Sequence, residues 1–104
     1  MLANKQYNTG DIVTFKLVSG EEIVARVVSE TDTTVTIYKP LTLVHNGQGM
    51  ALIQTIMSVR PEQELTVQKS AVVMSGISRE EMTSAWYEST SGLKTPSKSS
   101  ILMG

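Results

Sequence analysis

The side chains that most often carry chemistry are few in this chain, and they do not form a catalytic or metal-binding motif. Cysteine is absent, which excludes thiolate nucleophiles and thiolate zinc sites. His45 is the only histidine, and it has neither the further ligands of a metal site nor the recognisable nucleophile motif of a histidine-based triad. Gly47-Gln48-Gly49 lacks the Lys-Ser/Thr ending and the following helix of a phosphate-binding loop. Glu80 and Glu81 begin a predicted helix, where carboxylates stabilise the positive end. We therefore predict a non-enzymatic protein with no catalytic residue, cofactor or metal.

Length and charge limit the remaining functions. The 104 residues suit one domain, and the net charge of −1 provides no global field for attracting nucleic acid. Any nucleic-acid site must therefore be a local patch. No apolar run approaches the roughly 20 residues of a membrane span, and a membrane partner is not expected. The absence of cysteine and of a secretory segment over residues 1–10 predicts a cytoplasmic protein.

The elements that would position a site are mostly strands. Thirty residues are Val, Ile or Thr, against five Ala and eight Leu, and β-branched side chains favour strands. Alternating apolar and polar residues predict strands over about 12–18 and 23–28, the second one partly buried on both faces. A third strand from Thr34 either ends at Pro40 or kinks there and resumes over 41–44, and a fourth over 50–59 pairs back on it. Residues 65–74 form two short strands or one bent strand.

One helix is predicted over about 79–90. The sequence SREE at 78–81 is typical of a capping box, in which the Ser and Glu side chains satisfy free backbone amides. Ile77 and Met82 are spaced for a hydrophobic staple around this start. The helical spacing places Trp86 on the apolar face with Met82, so we expect the indole in a core or an interface rather than stacked on nucleic acid.

These elements divide the chain into four parts. We predict an N-terminal arm over 1–10, a barrel over 11–76, a helix over 77–92 that stops at Gly92, and a tail over 93–104. Several short strands, each bounded by turn residues, favour a small barrel of five strands.

Two segments of the barrel region resemble the Sm-like protein family, which includes the bacterial RNA chaperone Hfq. The sequence VTFKLVSGEEIVARVV over 13–28 is similar to the family's first two strands and the glycine turn between them. The sequence LTVQKSAVVM over 65–74 resembles its ending, a strand, a one-turn corner that bears a lysine, and a short closing strand. The helix after the barrel resembles the Sm-like proteins of tailed phages, for which the location would be the host cytoplasm.

The resemblance implies a mainly β fold, a strongly bent antiparallel five-stranded barrel of the Sm-like or SH3-like type with one C-terminal helix. It also implies a homo-oligomer formed by edge-strand pairing, because an open barrel leaves unpaired edges. The chain departs from the family in its RNA motif. Asp32 matches the family's acidic residue, but Thr36 replaces the asparagine that pockets a base four positions later.

The resemblance implies five candidate RNA-binding residues, Asp32, Thr33, Thr36, Gln68 and Lys69. In a ring the corner that contains Lys69 faces the pore, where an ammonium group contacts phosphates or base edges. An ordinary solvated turn explains the same residue types.

Two functions follow from these expectations. The first is a ring-type homo-oligomer that binds single-stranded RNA. The second is a phage or bacterial structural or protein-interaction module that keeps the Sm-like barrel without binding RNA.

Overall fold

The fold is a bent antiparallel sheet with one helix packed against it. The computed structural model describes residues 5–91. The strands are β1 (Ile12–Leu17), β2 (Glu22–Glu30), β3 (Thr34–His45), β4 (Met50–Gln54), β5 (Glu64–Gln68) and β6 (Val72–Ile77). A one-turn 3-10 helix (Lys69–Ala71) joins β5 to β6, and α1 (Glu80–Thr90) follows. The predictions of a mainly β chain and of a single helix near its end are confirmed.

The sheet has the order β4-β3-β2-β1-β6, and β5 pairs with β3 outside that path. The long strand β3 changes partners along its length, with β5 beside residues 34–38 and β4 beside residues 41–45. No ladder joins β5 to β6 within residues 5–91, so this sheet is not closed by hydrogen bonds. The prediction of a five-stranded barrel is therefore confirmed only as an open, six-stranded antiparallel sheet.

The third strand kinks next to Pro40 and resumes beyond it, which is one of the two predicted alternatives. Lys39 takes a left-handed φ of 51°, which is rare for a residue with a side chain, and β3 continues beyond it to His45. The change of partner occurs at this bend. The fourth strand is shorter than predicted, because β4 ends at Gln54 and residues 55–63 form a loop.

The sheet buries side chains on both faces, and this produces two cores. The first core lies inside the bend of the sheet and contains Val13, Phe15, Ile23, Ala25, Val27, Val35 and Ile37. The second lies between the outer face and α1 and contains Ile12, Val24, Leu41, Leu52 and Trp86. Strand β2 contributes to both cores, as its two apolar faces predicted.

Trp86 is the centre of the second core, which confirms its predicted place on the packing face. Its side chain is 2% exposed, and its indole Nε1–H donates a 2.8 Å hydrogen bond to the Lys39 carbonyl. The Lys39 ammonium in turn donates to the Thr90 carbonyl at 3.3 Å, near the end of α1. Two hydrogen bonds therefore connect the bend in β3 at Lys39 to α1.

The predicted capping box is wrong. The N-cap is Arg79, and no side chain caps the helix. The Ser78 hydroxyl instead lies 2.7 Å from the Thr14 hydroxyl, and its amide donates to the Ile12 carbonyl, so Ser78 is held by β1. Ile77 is 63% exposed, which does not fit the predicted staple. The predicted helix stop at Gly92 and the tail over 93–104 lie outside the described residues.

Candidate functional site

The fold brings the candidate RNA-binding residues to one end of β3 and β5. Asp32 and Thr33 are in the exposed β2–β3 turn, and Gln68 and Lys69 are at the β5 corner. Antiparallel pairing places Gln68 opposite Thr34. The Lys69 amide donates to the Thr33 carbonyl at 2.8 Å, so the turn and the corner are in direct contact.

Thr36 lies further along β3, opposite Thr66, and is half-buried. The turn itself is organised by Thr31, whose hydroxyl accepts the amides of Thr33 and Thr34 at 3.3 and 3.0 Å. The structure therefore places four of the five predicted residues in the turn and the corner, which contact one another, and the fifth, Thr36, further along β3.

Lys69 makes an ion pair with a residue that the sequence did not single out. Its Nζ lies 2.7 Å from Oε2 of Glu30, whose side chain is 2% exposed, whereas that of Lys69 is 28% exposed. The second carboxylate oxygen of Glu30 accepts the backbone amides of Gln6 and Tyr7 at 3.0 and 3.2 Å. The lysine predicted to contact phosphate therefore has a protein carboxylate beside it.

The inward position of Glu30 results from an irregularity in β2. The register with β3 shifts between Val27 and Ser29. A strictly alternating strand that buries Ala25 and Val27 would next bury Ser29, whereas the shift exposes Ser29 and buries Glu30. The periodicity of the sequence gave no sign of this change.

The pKa of Glu30 is lowered below its ordinary value of 4.5 by opposing effects. Burial raises this pKa, because it penalises the charged form. The ion pair with Lys69 and the hydrogen bonds from the amides of Gln6 and Tyr7 lower it by more. Glu30 is therefore ionised at neutral pH.

This lowered pKa predicts a loss of stability in acid. Because the unfolded chain takes up the proton more readily, Glu30 stabilises the fold above about pH 4.5, and this contribution disappears as the pH falls through the folded-state pKa. We expect the urea midpoint to fall between pH 6 and pH 3, and to fall less in Glu30→Gln. An equal fall in the two proteins would contradict this assignment.

A cavity of about 320 Å³ adjoins the ion pair. Its walls include Glu30, Lys69, Tyr7 and Phe15 on one side and residues 72–75 of β6 on the other. The Tyr7 hydroxyl lies 2.6 Å from that of Ser75, and the Tyr7 ring meets Phe15 edge to face at 6.5 Å. Tyr7, in the N-terminal arm before β1, therefore forms part of the cavity wall.

The remaining chemical candidates have local structural roles. His45 is exposed at the end of β3, and its Nδ1 accepts the Gly47 amide at 3.2 Å within the hairpin tip. Over residues 5–91 no group of three His, Cys, Asp or Glu side chains is placed to hold a metal ion. In the same range no helix is long and apolar enough to cross a membrane.

Comparison with known proteins assigned no family to this chain. Neither a scan against protein-family models nor a search of curated proteins found a match.

Proposed function

We propose that this chain is an Sm-like barrel module that self-associates edge to edge into a ring-type homo-oligomer and serves as a protein-interaction unit. The strand order supports the barrel, because β6 returns to β1 and a 3-10 corner bridges the gap between β5 and β6. The helix after the sheet fits the phage-type members of the family.

The observation that carries the proposal is the pair of apolar edges at opposite ends of the sheet. At one end, β6 forms a ladder with β1 and with no other strand of residues 5–91, and it exposes Val73 and Met74 by 57% and 64%. At the other end, β4 forms a ladder with β3 and with no other strand in the described part of the chain, and it exposes Met50 and Ile53 by 57% and 48%. Unpaired backbone beside apolar side chains is a template for another strand.

The positions of these edges favour a ring over a two-fold dimer. If β6 of one copy pairs with β4 of the next, the contact is heterologous and repeats until the rotation closes. Strand β5 is the less suitable acceptor, because its exposed residues Glu64, Thr66 and Gln68 are polar. The contact therefore joins the two apolar edges.

Sedimentation tests this proposal. We expect the wild-type chain to be oligomeric at micromolar concentration, and Met74→Lys to shift it to monomer, because a charge on an edge strand opposes pairing. Tyr87→Lys is the matched control, since Tyr87 is 51% exposed on α1 and lies off both edges. A wild-type monomer, or an oligomer unaffected by Met74→Lys, would refute pairing through β6.

RNA binding is the second candidate function, and it rests on the contact between the β2–β3 turn and the Lys69 corner. Ring symmetry would repeat this polar group in every copy. We rank it second because Lys69 is paired with Glu30, the net charge is −1, and Thr36 stands where the family has its base-binding asparagine.

A titration with oligo-U and oligo-A in low-salt buffer separates the two functions. If RNA binds at the corner, Gln68→Ala should weaken binding, whereas Gln48→Ala at the distant hairpin tip should not. Lys69→Ala should lower the slope of log affinity against log salt by about 0.7 for each lost phosphate contact. If the wild-type protein shows no salt-dependent binding, RNA binding is rejected and only the protein-interaction function remains.

A further inference from the structure

Side-chain contacts supplement the β1 ladder and the connecting corner in holding β6. Within residues 5–91, β6 has ladder contacts with β1 but none with β5. Two side-chain contacts lie at the corner and at β6, Lys69 to Glu30 at 2.7 Å and Ser75 to Tyr7 at 2.6 Å. The first holds the start of the corner, and the second holds the middle of β6.

Both contacts involve a residue that the Glu30 carboxylate binds, Lys69 through its ammonium and Tyr7 through its backbone amide. One of its oxygens pairs with Lys69, and the other accepts the amides of Gln6 and Tyr7, the residue whose hydroxyl reaches Ser75. One buried side chain therefore ties the arm to the corner, and through the Tyr7 ring the arm reaches β6.

The arm is linked to β6 without occupying its free edge. The backbone-to-backbone hydrogen bonds of residues 5–11 go to Val27 and within the turn at Asn8, the amides of Gln6 and Tyr7 go to the Glu30 carboxylate, and none of these bonds goes to β6. A cavity of about 320 Å³ lies between the arm and residues 72–75. Partner strands thus retain access to the β6 backbone while the arm restrains its orientation.

We propose that Glu30 and residues 5–8 form an arm latch that holds β6 in the orientation needed to pair with a second copy of this chain. The inference rests on the edge-to-edge association proposed above and adds the device that controls it. Fixing a strand before it binds lowers the ordering cost of association. When the arm is released, β6 must be ordered during association, and assembly is weaker.

The latch opens when Glu30 is protonated, because its partners bind the ionised carboxylate. Among the residues that the structure describes, Lys69 from the corner is the one charged side chain that shifts the pKa of Glu30, and the arm contributes two neutral amides. Protonation of Glu30 removes the ionic attraction to Lys69 and weakens both amide contacts, because hydrogen bonds to an ionised acceptor are the stronger ones. Acid is therefore an experimental means of releasing the arm.

Sedimentation between pH 7 and pH 3 tests the latch in the full chain. We expect Glu30→Gln to weaken self-association at pH 7 by about tenfold, the effect of losing one charge-assisted interaction, and to reduce its dependence on pH. Glu81→Gln is the control, because it removes a carboxylate from an exposed ion pair on α1. Trp86 fluorescence in the opposite core reports whether each variant remains folded.

A second variant keeps the test decisive if Glu30→Gln does not fold. Tyr7→Phe removes only the hydroxyl contact to Ser75 and should weaken association severalfold while leaving its pH midpoint in place. Wild-type assembly with unchanged association in Tyr7→Phe and in folded Glu30→Gln would overturn the latch and leave edge pairing intact. A wild-type monomer at pH 7 would overturn edge pairing and, with it, the latch.

Discussion

Trp86→Ala is expected to lower the free energy of unfolding by about 3 to 5 kcal/mol, the usual cost of truncating an aromatic residue in a core. Trp86 is 2% exposed and contacts the second core from α1, so its removal leaves a cavity between the helix and the outer face of β2. The Lys39 carbonyl also loses its indole donor. A denaturant midpoint measured by circular dichroism would record the loss.

Two further variants divide this effect between packing and hydrogen bonding. Trp86→Phe keeps a ring in the core and removes the Nε1–H donor, so we expect a loss of about 1 to 3 kcal/mol from the unsatisfied Lys39 carbonyl and the smaller ring. Tyr87→Ala removes an exposed neighbour whose ring meets Trp86 edge to face at 5.1 Å, with an expected cost of about 1 kcal/mol. Equal midpoints for wild type and Trp86→Ala would place the indole outside the core.

Lys69→Ala is expected to destabilise the fold by about 3 kcal/mol at neutral pH, because it leaves the Glu30 carboxylate buried without its counter-charge. This loss lies in the lower part of the range that is usual for breaking a buried ion pair, because the lysine side chain is 28% exposed and water screens part of the attraction. The loss should shrink in acid, where Glu30 becomes protonated in both proteins.

The matched control for this prediction is Lys16→Ala. Lys16 lies 3.9 Å from Glu22 in a pair whose side chains are 41% and 43% exposed, so its loss should cost about 0 to 1 kcal/mol. A double variant, Glu30→Gln with Lys69→Met, should recover much of the lost stability because no charge remains buried. If Lys69→Ala and Lys16→Ala had equal effects, Glu30 would not depend on Lys69.

This structural role changes how an RNA-binding defect in Lys69→Ala must be interpreted. Loss of the lysine releases Glu30 and the arm as well as removing a positive charge, so a fall in affinity combines both effects. Gln68→Ala is the cleaner probe of the corner, because Gln68 is exposed at the end of β5 and the ion pair does not involve it.

The sequence by itself determined the elements whose signals are local. Alternation predicted β1 and β2, and the apolar residues on both faces of β2 predicted its burial on both sides. The 3.6-residue spacing placed Trp86 on the buried face of α1, and the predicted range of about 79–90 agrees with Glu80–Thr90 although the capping box that suggested the start did not form. These features depend on side chains a few positions apart, whose periodicity is written directly into the chain.

The tertiary structure alone decided the features that depend on residues far apart in sequence. The register shift in β2 turns Glu30 inward towards Lys69, 39 positions later, and the arm supplies its remaining partners. Ser78 meets Thr14 instead of capping α1, and Lys39 adopts its left-handed φ where β3 exchanges β5 for β4. A single bulge reverses which residues point inward, and local periodicity cannot reveal it because the pairing strand sets the register.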